Sequence, residues 1–86
     1  MYTQKIVVAN QTGLHARPAS LFVKTANKFS SKITLHKQDK AVDAKSIIGL
    51  LSLGVSKGTE IIITAEGEDE QLAVEALVVL IKGFNE

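Results

Sequence analysis

Asn10-Gln11-Thr12-Gly13-Leu14-His15-Ala16-Arg17-Pro18-Ala19 separates a strand before it from a helix after it. Upstream, Gln4 to Ala9 is β-branched, runs into the polar turn Asn10–Gly13, and reads as a strand with Ile6 and Val8 on its core face. Downstream, Ala19, Phe22, Val23 and Ala26 recur at helical spacing. Residues 16 to about 28 therefore read as one helix, with Lys24 and Lys28 outside its apolar stripe and solvated. Gly13 is suited to the positive φ that turns the chain out of the strand. Pro18 fits the first helical turn, where its fixed φ is an advantage and its missing N–H costs nothing. A residue before proline is pushed from helical angles, which predicts an irregular Arg17.

His15 is thereby set at a strand-to-helix junction. The first N–H groups of a helix have no acceptor inside it, and the dipole is positive there, so the junction attracts an anion. Pro18 donates nothing, which leaves the amides of Ala16 and Arg17 as the backbone candidates. The Arg17 guanidinium adds a permanent charge and a planar fork suited to phosphate. A histidine at a helix start is by itself an ordinary polar residue. Here Gly13, His15, Arg17 and Pro18 fall together, each with a separate use. A histidine beside an anion site is one that can carry a phosphoryl group.

Further along, Lys32 to Lys37 alternates, with Ile33 and Leu35 on one side and Lys32, Thr34 and His36 on the other. His36 falls on the solvent side and has no second ligand at metal-like spacing. Gln38-Asp39 reads as a hairpin turn into a short strand, Lys40 to Asp43, although it lacks the glycine a tight primed turn favours. Ser46 is a favoured N-cap and Gly54 a favoured C-cap, so the apolar run between them is a short helix. Leu50 and Leu53 share its inner face. Ile47, Ile48 and Leu51 spread too widely for all to be buried, which suggests a docking patch, tertiary cover being the plainer alternative.

Lys57-Gly58 marks a turn, and Glu60 to Ala65 is a strong strand. Ile61 and Ile63 face one way, and Ile62 on the other suggests a central position. The acidic cluster Glu66-Gly67-Glu68-Asp69-Glu70 suits a helix start; its spacing is not that of a calcium loop. From Gln71 to about Lys82 the helix is expected to bury Ala73, Leu77 and Leu80, with Val74 and Ile81 flanking. Strand, helix, strand, strand, helix, strand, helix is the resulting order. A helix between the first two strands demands a crossover, and a later strand can insert between them. The fold class is α+β: an open-faced β-sandwich with a four-stranded, mainly antiparallel sheet and three helices on one face.

The 86 residues make a single domain, and 45% hydrophobic content suffices for one core. No apolar run approaches the ~20 residues of a membrane helix, and the N-terminus has no signal-peptide pattern. With no cysteine there is no disulfide framework and no thiolate nucleophile. A net charge of +1 argues against a domain built for nucleic acid. There is no G-x-x-x-x-G-K-[ST] nucleotide cradle, and neither a cofactor nor a metal is implied.

Gly13-Leu14-His15-Ala16-Arg17-Pro18-Ala19 resembles the active-site signature of HPr, the histidine-containing phosphocarrier of the bacterial phosphoenolpyruvate-dependent sugar phosphotransferase system. The resemblance extends to Ala44-Lys45-Ser46-Ile47 with Gly49, Ser52-Leu53-Gly54, Lys57-Gly58 and Ala65-Glu66-Gly67, and so spans the chain. It implies that His15 accepts the phosphoryl group through Nδ1 and that Arg17 stabilises it. It implies Enzyme I as donor, IIA domains of sugar permeases as acceptors, and a cytoplasmic, monomeric carrier without independent turnover. Ser46 matches a regulatory phosphorylation site used in many Gram-positive bacteria. A serine kinase/phosphorylase and a catabolite-control transcription regulator are the partners that site implies. The aliphatics at Ile47, Ile48 and Leu51 look like the Gram-positive type. The alternative is a regulatory relative, nitrogen-branch or catabolite-control, acting mainly through the Ile47–Leu51 surface. A close regulatory paralogue lacks the active-site histidine, and here His15 is present.

Overall fold

Residues 1–85 are described in the computed structural model of the protein. The elements are β1 (Tyr2–Val7), α1 (Ala16–Ala26), β2 (Lys32–Lys37), β3 (Lys40–Asp43), α2 (Ile47–Leu53), β4 (Glu60–Glu66) and α3 (Glu70–Gly83). β4, the most apolar strand, sits inside the sheet, whose order is β1-β4-β2-β3. Every pairing is antiparallel: Ile63 lies opposite Gln4 of β1 and Leu35 of β2, and Leu35 opposite Val42 of β3. The late strand has inserted between the first two, as the crossover requires.

Alternation along the strands sets the two faces. Ile6, Ile33, Leu35, Ile61, Ile63 and Ala65 point inward and are buried with Phe22 of α1, Leu50 of α2 and Leu77 of α3 in one cluster. Burying each large aliphatic or aromatic side chain contributes about 1.5–3 kcal/mol, which makes this cluster the main source of stability. On the opposite face Lys5 is exposed, and Ile62, Thr64, Thr34 and His36 are half-buried.

Several boundaries differ from the sequence reading. β1 covers Tyr2–Val7, because its partners in β4 run from Ala65 back to Glu60. Val8 stays tied to that edge through its N–H to Thr59 O (2.9 Å) and its carbonyl from Gly58 N (2.6 Å). α1 stops at Ala26, since the Asn27 amide side chain turns back to Val23 O (2.9 Å). β4 extends to Glu66, paired with Lys32. In α3 Val78 is buried and Leu80 only half-buried, contrary to the expected stripe. The helix packs on α1 as well as on β1 and β4, and this rotates its inner arc toward Val74 and Val78.

The acidic cluster has a structural use. Asp69 precedes α3, and its carboxylate accepts from the Ser31 hydroxyl, from Ser30 N (3.0 Å) and from Ser31 N (3.0 Å). Glu70 accepts from Gly67 N (3.1 Å). The α1–β2 turn is thus clamped to the start of α3. The Ser31 hydroxyl, with the Ser30 amide next, lowers the Asp69 pKa to about 2. The folded value lies below the ordinary carboxylate value of about 3.9, so the clamp's contribution is fully present above about pH 4 and fades as pH falls toward 2. Asp69→Asn should therefore lower the thermal midpoint at neutral pH, and the gap to the parent should close as pH approaches 2. A gap that persists unchanged in acid would assign the loss to side-chain packing instead.

Candidate functional site

The loop before α1 is held from three directions. Gly13 N donates to Asn10 O (3.2 Å), and the Asn10 side-chain amide donates to Gly13 O (2.9 Å). Leu14 N donates to Val55 O (2.9 Å), and the Leu14 side chain is buried. Gly13 has φ +63, and a Cβ there would fall 2.2 Å from Val55 O, so only glycine lets the two loops meet. The segment leaving α2 is therefore the platform on which the His15 loop is built.

His15 is the N-cap of α1, with extended angles (φ −135, ψ 157), an exposed side chain and no side-chain cap bond. Serine or aspartate there would cap the helix. The histidine leaves that role unfilled and presents its imidazole to solvent beside the positive end of α1. The expected irregularity does not fall on Arg17 but on Ala16, which takes φ +53. Leu14 is pinned and the proline ring restricts Arg17, so the turn into the helix is absorbed one residue earlier. A left-handed alanine stores on the order of 1 kcal/mol. Ala16→Gly should thus raise stability by up to about 1 kcal/mol, a rise of roughly 4–8 °C in Tm for a domain this size. Calorimetry checks this; an unchanged or lower midpoint would show that the loop relaxes without strain.

Arg17 is exposed and borders a shallow depression between α1 and the end of α3, shared with Leu21, Val79, Leu80, Gly83, Phe84 and Asn85. Leu21, itself 37% exposed, lies outside the core stripe of α1, so helical spacing of the buried residues does not single it out. An exposed leucine flanking the arginine was the available signal.

Ser46 is the N-cap of α2, as its sequence position predicts, and its Oγ accepts from Gly49 N (3.1 Å). The Lys45 carbonyl beside it accepts from the Asn27 amide (3.4 Å), and Lys45 Nζ donates to Phe29 O (2.7 Å). Ser46 consequently sits near the C-terminal end of α1. At its other end α2 closes with Gly54 in the left-handed region, and Lys37 Nζ donates to Leu53 O (3.2 Å) and Gly54 O (2.9 Å). Val55 follows and supports Leu14. The two helices thus run in opposed directions, with Ser46 and His15 at opposite ends of α1. Its eleven residues span about 16 Å. The structure does not bring Ser46 to His15; α2 lies between them. Along that helix Leu50 and Leu53 are buried, whereas Ile47 (39%), Leu51 (40%) and above all Ile48 (78%) are exposed.

Among the described residues no helix is long and apolar enough to cross a membrane. The profile of the family described as "PTS HPr component phosphorylation site" matches residues 2–83. The HPr-like protein Crh of Bacillus subtilis is 54% identical over 82 residues, covering 95% of this chain and 96% of that one. Among solved structures, HPr from Thermoanaerobacter tengcongensis superposes with a TM-score of 0.94 at 56% identity, over 95% of this chain and 92% of that one. A crystal structure of B. subtilis Crh, described as a swapped, intertwined dimer, has a TM-score of 0.77 at 51% identity, over 100% of this chain and 99% of that one.

Proposed function

The chain belongs to the HPr family of the phosphotransferase system, and from that premise we propose that it is a phosphoryl carrier of the sugar branch, charged on His15 by phosphorylated Enzyme I and discharged to IIA domains of sugar permeases. The observation that carries this reading is His15 itself, an exposed imidazole at an N-cap whose side chain makes no cap bond. Neutral Nδ1 attacks phosphorus as the bond to the donor breaks, and the new N–P bond is broken in turn by the acceptor's nucleophile. The amides of Ala16 and Arg17 and the Arg17 guanidinium stabilise the charge on the transferring oxygens. Both partners are proteins, so the exposed Ile47, Ile48 and Leu51 serve as the apolar docking surface that brings donor and acceptor to the α1 entrance. Each transfer needs one His15 and one such surface, and a monomer supplies both. Cytoplasmic location and the absence of independent turnover follow from the role.

A second reading is favoured by the similarity to Crh: regulatory binding through the α2 surface, with a phosphate on Ser46 recognised by a catabolite-control regulator. Incubation with Enzyme I and phosphoenolpyruvate, followed by intact-mass measurement, separates the two. The carrier reading expects stoichiometric addition of one acid-labile, alkali-stable phosphoryl group. A chain that stays unmodified beside a charged control carrier overturns it.

A further inference from the structure

α3 uses only part of its circumference for the fold. Ala73, Val74, Leu77, Val78 and Ile81 are buried. On the outward side Leu72, the half-buried Ala76, Val79 and Gly83 follow one another at alternating four- and three-residue spacing, which is the seam of a two-helix contact. Leu72 is 66% and Val79 69% exposed. Gly83 lies outside the left-handed region, and a Cβ there would meet nothing within 4 Å. Neither the backbone nor internal packing asks for glycine at that position.

We propose that this face pairs with the same face of a second copy of the chain, the two α3 helices running antiparallel about a two-fold axis. In that arrangement Leu72 of each copy lies over Gly83 of the other, the largest seam residue against the one without a side chain. Ala76 meets Val79 in the same way. The charges fix the same register. Glu75 and Lys82 stand on one edge of the seam, two turns apart, and both are exposed. Antiparallel pairing sets Glu75 of each copy beside Lys82 of the other, so two opposite-charge contacts form. The Gln71 side chain, donating to Glu75 Oε2 (3.1 Å), orients that carboxylate along the helix. A parallel pairing would lay Gly83 over Gly83 and lose the contact there. One helix pair buries less than the roughly 1,200 Å² of a stable interface, so the association is weak and rapidly reversible. It leaves the α2 surface uncovered, runs along the rim of the depression that Val79 and Gly83 share with Arg17, and differs from strand exchange, in which β1 would leave its own sheet.

Sedimentation equilibrium of the full chain up to millimolar concentration, with an amide NMR dilution series, tests this. The weight-average mass should climb from 9.2 kDa toward twice that value, with shifts concentrated at Leu72, Ala76, Val79 and Gly83. Glu75→Lys and Lys82→Glu should each weaken association about tenfold, as two attractions become repulsions. The Glu75→Lys/Lys82→Glu double variant should restore it to near the parent, which also shows that the single changes did not act through unfolding. Val79→Asp, at an exposed position, should abolish it while thermal unfolding stays two-state. A constant mass at millimolar concentration overturns the proposal. So do slow exchange with shifts along β1, or single charge reversals that leave association unaltered.

Discussion

His15→Ala should accept no phosphoryl group from Enzyme I and phosphoenolpyruvate, yet should unfold within about 0.5 kcal/mol of the parent, as exposed substitutions generally do. The separation follows from geometry. The His15 side chain is exposed and makes no cap bond, so its removal breaks no internal hydrogen bond and opens no cavity. On the proposed reading everything it contributes is chemical, and intact-mass analysis should show the variant unmodified. His15→Asp sharpens the contrast. An aspartate with the same extended angles can accept from the Arg17 amide, Pro18 having none to give, and should stabilise the domain by about 1 kcal/mol. It cannot form the phosphoramidate, so stability rises while transfer is lost. A His15→Ala chain that still takes an acid-labile label would transfer the acceptor role elsewhere, with His36 on the open sheet face the next histidine to examine.

Local rules carried much of the fold because they act over a few residues. The alternation of Ile33 and Leu35, the serine before Ile47 and the glycine after Leu53 each determine structure within one turn or one strand pair, and all three hold. The crossover between β1 and β2 was likewise forced by order alone. What the chain could not reveal is set by residues distant in sequence. Leu14 is fixed by Val55, and that contact, with the constraint of Pro18, moves the strained position from Arg17 to Ala16. The inner arc of α3 depends on α1 as well as on the sheet, which is why Val78 is buried and Leu80 only half so. The placement of His15 and Arg17 at the entrance of α1 was legible because Gly13 and Pro18 punctuate the loop. The separation of Ser46 from His15 was not, because it rests on how α2 lies against α1.

That separation determines how a phosphate on Ser46 acts. Across about 16 Å, twice the Debye length of about 8 Å at physiological salt, a direct field on His15 is largely screened. On the proposed reading the new charge acts where partners would land, at the edge of the surface formed by Ile47, Ile48 and Leu51. The fold should tolerate it. Ser46 Oγ already accepts from Gly49 N, a phosphate oxygen can keep that bond, and negative charge is favourable at a helix start. Phosphoserine at position 46 is therefore expected to slow Enzyme I-dependent phosphorylation of His15 by on the order of tenfold or more, a coupling in the ordinary range of 1–3 kcal/mol, with the thermal midpoint little changed. Ser46→Ala should do the reverse: full-rate transfer, with about 1 kcal/mol of stability lost along with the cap bond. Ser46→Asp, carrying less charge than phosphate, should fall between the parent and the phosphoprotein in rate. Rapid-quench measurement of His15 labelling on all four proteins decides the matter. If the phosphoserine form is charged as fast as the parent, Ser46 is a helix cap and nothing more, and the α2 surface does not receive the donor.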